Sequence, residues 1–393
     1  MFNSAVAKKV GWTGDESPLF AARPIAGDFP GTSAIVVGLP RSGSTFLTHV
    51  LSHLPGWWFF DDLYFYQQVR AVGAADGPLD ARQIEHLLDW VRRRIWAGIR
   101  WPKFESPQLS YEELDRFIPA VRGAIADRPT LWHELMREML TRLAVHHGAA
   151  RWGYKTPQDF MHLAELRRIY PELKVIYLFR DPRDVLASYK FNHTRDGKPG
   201  QYHPLVYALY WKLAAETFER TSPQFDGAML EVRFERLIAD PQAEARRLAA
   251  FLGTAPPSAI TDAAAAANST FRNGHRSVIT NTEAWICERV AAQSMRRRGY
   301  TTHGVRPSPG DVPDLMAVTA RFLHHQATRV LGDLRARHSL GSFVRRLIAQ
   351  RTESSEPNHL RNTCGGETPC DTGDSGSPAR SRSAQAPSRV TIL

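Results

Sequence analysis

The sequence is poor in cysteine and has no long apolar run. Its three cysteines among 393 residues, Cys287, Cys364 and Cys370, have a spacing that fits neither a zinc site nor a disulfide framework. The first residues lack the apolar core of a signal peptide, and no stretch approaches the roughly 18 apolar residues of a membrane span. These absences predict a reduced, cytoplasmic protein with no membrane span.

Metal-ligand patterns are scarce as well. His49 and His53 lie four residues apart, but no glutamate stands between them as in an H-E-x-x-H motif and no third ligand suggests itself. We therefore expect no metal cofactor.

Positive charge is in excess: 50 Lys and Arg against 40 Asp and Glu give a net charge of +10. A basic cleft would speed the capture of a polyanionic ligand, whereas solvated arginines and a basic tail are the alternative explanation. The run Arg92 to Arg94 keeps a nucleic-acid-binding protein as an alternative function. No nucleic-acid-binding fold signature accompanies that run, so no nucleic-acid partner is expected.

The most informative segment is SAIVVGLPRSGST at residues 33–45. An apolar, β-branched run followed by small residues predicts a strand, an anion-binding loop and a helix that begins near Thr45. Backbone N–H groups from Ser42 to Thr45 would then converge on a phosphate at the positive end of the helix dipole. A tight turn without a ligand is the alternative.

This loop departs from the common NTP-binding pattern G-x-x-x-x-G-K-[ST]. Gly38 and Gly43 have the right spacing, but Ser44 occupies the lysine position and the cation is Arg41. The departure favours a loop that holds one 5′-phosphate beside a transferring group. A P-loop kinase-like phosphotransferase remains the alternative, and Ser44 argues against it.

A second segment combines a strand end with a helix start. The apolar run at residues 174–179 leads into RDPRDVLAS, in which Asp181 and Pro182 suit a helix cap and first turn. Arg180 then follows the strand and Ser188 lies about two turns along the helix. Ligands bind in the crevice at the strand ends of a parallel sheet, so a second phosphate is expected there.

These two segments, together with RWGYKTP at residues 151–157, resemble the sulfotransferases that use 3′-phosphoadenosine 5′-phosphosulfate (PAPS), in the tyrosylprotein-sulfotransferase-like and bacterial branch. The resemblance covers residues 31–300. It implies that Arg41, Ser42, Gly43, Ser44 and Thr45 bind the 5′-phosphosulfate. It also implies that Arg180 and Ser188 bind the 3′-phosphate. The partner would be an acceptor bearing a hydroxyl, whether a glycan, a lipid, a small alcohol or phenol, or a tyrosine.

Sulfuryl transfer requires cations around the moving group and a base for the acceptor hydroxyl. Arg41 and Lys155 are the predicted cations. The resemblance places a carboxylate base at Asp62, at the end of the segment WWFFDD, and predicts that Asp61 points to the opposite face if the strand continues. His53 or a later histidine is the alternative base.

A basic loop at residues 271–277 contributes two further candidates. In other branches of the family a loop at a comparable position closes over the 3′-phosphate or the adenine. The resemblance therefore makes Arg272 and Arg276 cofactor candidates. A solvated basic loop is the alternative.

The predicted fold class is α/β, with a P-loop-type parallel sheet flanked by helices, a helical insertion and a C-terminal helical extension. The predicted layout is a loose arm over residues 1–30, a sulfotransferase domain over 31–300 with its insertion at about 79–147, C-terminal helices over 308–350, and a disordered tail over 352–393.

The three function classes respond differently to ligands. We expect adenosine 3′,5′-bisphosphate to raise the melting temperature of the purified protein, because a ligand that binds only the folded state stabilises it. ATP with magnesium, and duplex DNA, should leave it unchanged. Stabilisation by ATP with magnesium alone would favour the kinase-like alternative instead.

Overall fold

Five parallel strands form one sheet within the residues that the computed structural model describes, namely 17–21, 24–25, 33–100, 109–260 and 278–332. The spatial order is β2-β3-β1-β4-β5. The strands are β1 Ser33–Gly38, β2 Trp57–Phe60, β3 Arg151–Lys155, β4 Lys174–Phe179 and β5 Met229–Arg233.

Helices flank this sheet and make up most of the described chain, which confirms the predicted fold class. They are α1 Ser44–Ser52, α2 Phe65–Ala71, α3 Ala81–Arg100, α4 Tyr111–Ile125, α5 Trp132–His146, α6 Leu163–Ile169, α7 Pro182–Arg195, α8 Pro204–Thr221, α9 Phe234–Ala239, α10 Pro241–Leu252, α11 Asn281–Arg297 and α12 Val312–Gly332.

The strand order reverses at β1, which lies between β3 and β4. In β1, Val36 is in register with Lys155 on one side and with Ile176 on the other. The chain builds β2 and β3 on the first side and then β4 and β5 on the second. Such a reversal opens a crevice at the carboxyl ends of the strands, so the loops after β1, β3 and β4 meet there.

Both faces of the sheet are covered, which explains why its strands are almost continuously apolar. Side chains of β1 alternate between two cores: Ile35 and Val37 belong to one, and Ala34 and Val36 to the other. Helices α1 and α10 supply the smaller core, and the larger one includes residues from α3, α4, α5, α8 and α11.

The helical insertion between β2 and β3 consists of α3, α4 and α5. Its first helix is tied to the end of β2, because the Trp90 indole donates a hydrogen bond of 2.8 Å to the carbonyl of Leu63. This contact places α3 beside the strand ends.

Two short stretches of the N-terminal segment are held against α5. Residues 17–21 and 24–25 lie against α5, where Arg142 and Glu138 form a fully buried ion pair of 2.8 Å. Arg142 donates to the carbonyl of Ala21 at 2.8 Å, and Glu138 accepts from the amide of Ile25 at 2.9 Å. A buried ion pair needs such partners for its remaining donors and acceptors, and these stretches of backbone supply them.

The chain divides into two compact units, Met1–Thr319 and Ala320–Leu393, and the candidate site lies in the first. The part of the predicted C-terminal helices beyond residue 332 and the predicted tail from residue 352 are outside the described residues. None of the described helices combines the length and apolarity that crossing a bilayer requires.

Gly43 is confined by its backbone and by a neighbouring ring. It caps α1 with φ 93°, in the left-handed region. A Cβ atom there would lie 2.2 Å from Cε2 of Phe234, the first residue of α9. The loop before α1 therefore packs directly on the element that follows β5.

We expect Gly43→Ala to destabilise the protein more than Gly56→Ala. Both positions have positive φ, worth about 1–2 kcal/mol of backbone strain, but Gly56 has open space around its Cβ position. The clash with Phe234 adds about 1–3 kcal/mol for overpacking. Denaturant unfolding of the two variants measures the difference, and equal losses would contradict the packing argument.

Candidate functional site

The loop after β1 is pressed against β4. Gly38 adopts φ 140°, and a Cβ atom there would lie 2.3 Å from the carbonyl oxygen of Leu178. Arg41 has φ 74°, a left-handed conformation that costs a non-glycine residue about 1–2 kcal/mol. Such strain is found where a structure holds a loop in one defined form.

The helix after this loop begins one residue earlier than predicted, at Ser44. The amide of Ser42 donates to the carbonyl of Leu39 at 3.2 Å, so it closes a turn and is not available for an anion. The N–H groups of the first turn of α1, which includes Ser44 and Thr45, have no partner four residues earlier in the helix. They leave an anion-binding helix start at the end of β1.

The second predicted motif lies next to the first. Asp181 caps α7 by accepting from the amide of Arg183 at 2.9 Å, and Pro182 is the first helical residue, as predicted. Arg180 is 4% exposed, and its Nη1 donates to the carbonyl of Arg41 at 3.3 Å. Its guanidinium lies 4.7 Å from the ring centroid of Phe234.

Ser188 joins the two motifs directly. Nε of Arg41 donates to its hydroxyl at 3.1 Å. The structure thus brings Arg41, Arg180 and Ser188 together at the ends of β1 and β4. Two guanidinium groups, a hydroxyl and a helix N-terminus are groups that bind phosphates and sulfates.

The turn that carries Arg180 is braced from two sides. Glu235 accepts from the amide of Asp181 at 2.8 Å and from the Tyr300 hydroxyl at 3.0 Å. Arg183 pairs with Asp181 at 2.6 Å and with Glu288 of α11 at 2.7 Å. Glu235 stands at the start of α9, directly after β5, and there faces the end of neighbouring β4.

Lys155, the last residue of β3, connects the start of α1 to the acidic segment after β2. It is 1% exposed. Its Nζ lies 2.5 Å from Oδ1 of Asp62, 2.7 Å from Oδ1 of Asp61 and 3.3 Å from the Thr45 hydroxyl on α1. The ammonium therefore has two hydrogen-bond partners, Asp62 and Thr45, and a second carboxylate, Asp61, within ion-pair distance.

Asp61 and Asp62 both contact Lys155. The expectation that they face opposite sides holds only if the strand continues through them, and that condition is not met. Alternation applies only while a strand continues. Here β2 ends at Phe60, and Asp62 adopts φ 56°. This left-handed residue turns the chain so that both carboxylates reach Lys155.

The segment after Asp62 is fastened to the end of β3. The amide of Leu63 donates to the carbonyl of Lys155 at 3.1 Å, and the amide of Tyr64 donates to the Thr156 hydroxyl at 2.9 Å. These bonds hold the carboxylates and the lysine in a fixed arrangement.

Two tyrosines, Tyr64 and Tyr189, lie near Lys155 and the two aspartates. Burial raises the pKa of Tyr64 and Tyr189 above the ordinary tyrosine value. The charge of Asp62 raises the pKa of Tyr64 further, and the charge of Arg41 opposes the rise for Tyr189. Both rings are therefore near the site. At neutral pH both hydroxyls are protonated.

His53, the alternative base, is not brought to the site. His53 ends α1 and contacts the carbonyl of His49 at 2.9 Å. A nine-residue helix is about 13 Å long, so His53 lies far from the loop. Arg272 and Arg276 are outside the described residues. In the part of the chain that is described, no group of three or more His, Cys, Asp or Glu could hold a metal ion.

Asp159, which the sequence does not single out, is buried close to Lys155 in the chain. It lies in the 3-10 helix Pro157–His162 and is 0% exposed. The Gln67 side chain is near enough to lower the pKa of Asp159. Neither carboxyl oxygen, however, makes a hydrogen bond of good geometry within the described residues. Burial raises the pKa of Asp159 to about 8.

The strand order and the loop geometry define an α/β protein with a strand-loop-helix unit at the centre of its sheet. The chain belongs to the sulfotransferase family, whose sequence pattern matches residues 34–257, more than half of its length. This match confirms the resemblance and supports sulfotransferase activity. A comparison with curated proteins found no match.

Several solved structures are similar to this chain. The sulfotransferase domain of the Synechococcus PCC 7002 olefin synthase is 17% identical, with 73% of this chain and 98% of that one covered and a TM-score of 0.45. Sulfotransferase STF9 from Mycobacterium avium is 15% identical, with 71% and 80% covered and a TM-score of 0.40. A sulfotransferase from Alicyclobacillus acidocaldarius is 15% identical, with 70% and 98% covered and a TM-score of 0.39.

Asp159 gives the stability a distinctive pH dependence. Its pKa is about 8 in the folded protein, above the ordinary value of 3.8. Between pH 4 and 8, Asp159 therefore carries a proton in the folded state but not in the unfolded state. The stability that this proton contributes is complete below pH 4 and is lost as the pH rises through 8.

We expect Asp159→Asn to flatten this decline, so that the variant gains stability over the wild type as the pH rises from 4 to 8. Denaturant unfolding at a series of pH values measures it. Asp115→Asn is the control, because that side chain on α4 is 71% exposed. Parallel stability curves for the wild type and Asp159→Asn would contradict the prediction.

Proposed function

We propose that this protein transfers a sulfuryl group from PAPS to an acceptor hydroxyl. The observation that carries the proposal is the position of Lys155, which contacts both Asp62 and the Thr45 hydroxyl of the phosphate-loop helix. The Lys155 cation, the Asp62 carboxylate and the N-terminus of α1, which can bind an anion, thus lie next to one another. Transfer between two oxygens requires this combination.

The donor set at the ends of β1 and β4 fits a ligand with two separate anionic groups. Arg180 and Ser188 would hold the 3′-phosphate. The loop from Arg41 to Thr45 would hold the 5′-phosphosulfate, with hydroxyls from Ser44 and Thr45 and the amides of the first turn of α1. When bound, PAPS supplies the activated sulfuryl group.

Three residues would act at the reacting atoms. Asp62 would accept the proton of the acceptor hydroxyl, and Arg41 and Lys155 would stabilise the negative charge of the transferring group. Lys155 is hydrogen-bonded to Asp62 and Thr45 and forms an ion pair with Asp61. It releases one of these to turn to the transferring group, and Asp61 keeps it in place when it does.

The acceptor bears a hydroxyl and would approach from the side of α3 and the tyrosines. The neutral hydroxyls of Tyr64 and Tyr189 would hydrogen-bond a polar acceptor, while their rings pack on its apolar parts. These features suit a glycan, a lipid, a small alcohol or phenol, or a tyrosine.

Two substitutions are expected to affect binding and turnover separately. Arg180→Ala removes a cation from a phosphate remote from the reaction, so the Kd for adenosine 3′,5′-bisphosphate should rise about 10- to 100-fold, the cost of a hydrogen bond to a charged group. Turnover at saturating PAPS should change less. Asp62→Asn should do the reverse and lower turnover about 10²- to 10⁴-fold.

Calorimetric titration and release of adenosine 3′,5′-bisphosphate from PAPS with a panel of alcohols, phenols and sugars measure these effects. Arg122→Ala is the control, since that residue forms an exposed ion pair with Glu85. A turnover defect without a binding defect in Arg180→Ala would contradict its assignment to the 3′-phosphate.

A further inference from the structure

The three consecutive arginines of α3 have different surroundings. Arg92 pairs with Asp115 at 3.8 Å and Arg93 with Asp89 at 3.1 Å, and both side chains are more than half exposed. Arg94 is 28% exposed, and its Nη2 lies 3.9 Å from Oδ2 of Asp62. One member of a run that the sequence suggests for nucleic acid is therefore directed at the candidate base.

Arg94 and Lys155 approach different oxygens of the same carboxylate. Lys155 is 2.5 Å from Oδ1 of Asp62, and Arg94 faces Oδ2. The Arg94 guanidinium also lies 5.8 Å from the ring centroid of Tyr64. Its Nε is buried and has no hydrogen-bond partner within the described residues. One hydrogen-bond donor of the guanidinium is therefore unused there.

Lys155 and Arg94 differ in what else they contact. Lys155 also reaches the phosphate-loop helix through Thr45. If it turns to the transferring group, Asp62 loses its nearest cation. A carboxylate that loses an adjacent positive charge binds a proton more readily, and a protonated Asp62 cannot act as a base.

We propose that Arg94 is a positioning residue for the base: it keeps Asp62 ionised and oriented towards the acceptor while Lys155 engages the donor. This inference rests on the proposed function for the role of Asp62. It assigns a task to the helical insertion, since α3 supplies Asp62 with a second cation beside Lys155 of β3.

Within the described residues, the charged and titratable groups that act on Asp62 come from several elements. Lys155 comes from β3, Arg94 from α3, Asp61 and Tyr64 from the segment after β2, and Arg41 from the loop after β1. Asp61 opposes the two nearby cations. Removal of Arg94 therefore shifts the balance on Asp62 towards protonation.

The test measures the pKa of Asp62 directly. Protein labelled with ¹³C at the aspartate carboxyl carbons is titrated by NMR, and Asp62→Asn assigns the resonance. Arg94→Gln should raise the pKa of Asp62 by about one unit, the lower end of the effect of a nearby opposite charge. Arg94→Lys should restore a value near that of the wild type.

Arg93→Gln is the matched control, because it removes the same charge from the next position of α3, and it should leave the titration unchanged. Arg94→Met keeps part of the aliphatic stem and serves as a second charge-removing variant if Arg94→Gln does not fold. An Asp62 pKa that is the same in the wild type and in the folded charge-removing variant would overturn the inference.

Activity provides a second readout. At saturating PAPS, the acidic limb of kcat/KM for the acceptor should move up by the same shift in Arg94→Gln, with the alkaline plateau retained. Absence of transfer in the wild type would count against the proposed function, and the NMR titration would still decide the role of Arg94.

Discussion

The buried ammonium of Lys155 is the constraint around which the site is organised. An ammonium group in the interior costs several kcal/mol unless it is paired and hydrogen-bonded, and Lys155 is 1% exposed. Asp61, Asp62 and Thr45 meet this requirement from two other segments of the chain. Their pairing with Lys155 fixes the acidic segment after β2 and the start of α1 relative to β3.

The anion-binding half of the site depends on the sheet order in a similar way. Because β1 lies between β3 and β4, the segment after β1 contacts Lys155 through Thr45 and the Arg180 turn through Arg41. Phe234, from the element after β5, packs under Gly43 and under the Arg180 guanidinium. A single aromatic ring thus supports both the loop after β1 and the Arg180 turn.

Much of this arrangement could be predicted from the sequence, because strands and helix caps are local features. Residues 174–179 and the Asp181 cap lie where the pattern places them, and the rule for parallel strands predicts the meeting of Arg41, Arg180 and Ser188. The rest depends on tertiary contacts. Left-handed Asp62 has no local signal of the kind that glycine gives, and the inward turn of Arg94 follows from how α3 packs rather than from its periodicity.

The central claim is that the two motifs form one site for a bisphosphorylated adenosine nucleotide. Isothermal titration of the purified protein with adenosine 3′,5′-bisphosphate, beside an Arg41→Ala, Arg180→Ala double variant, tests it most directly. We predict micromolar binding to the wild type, on the order of −8 kcal/mol, and its loss in the double variant. Absence of binding to the wild type, or equal binding to both proteins, would contradict the account.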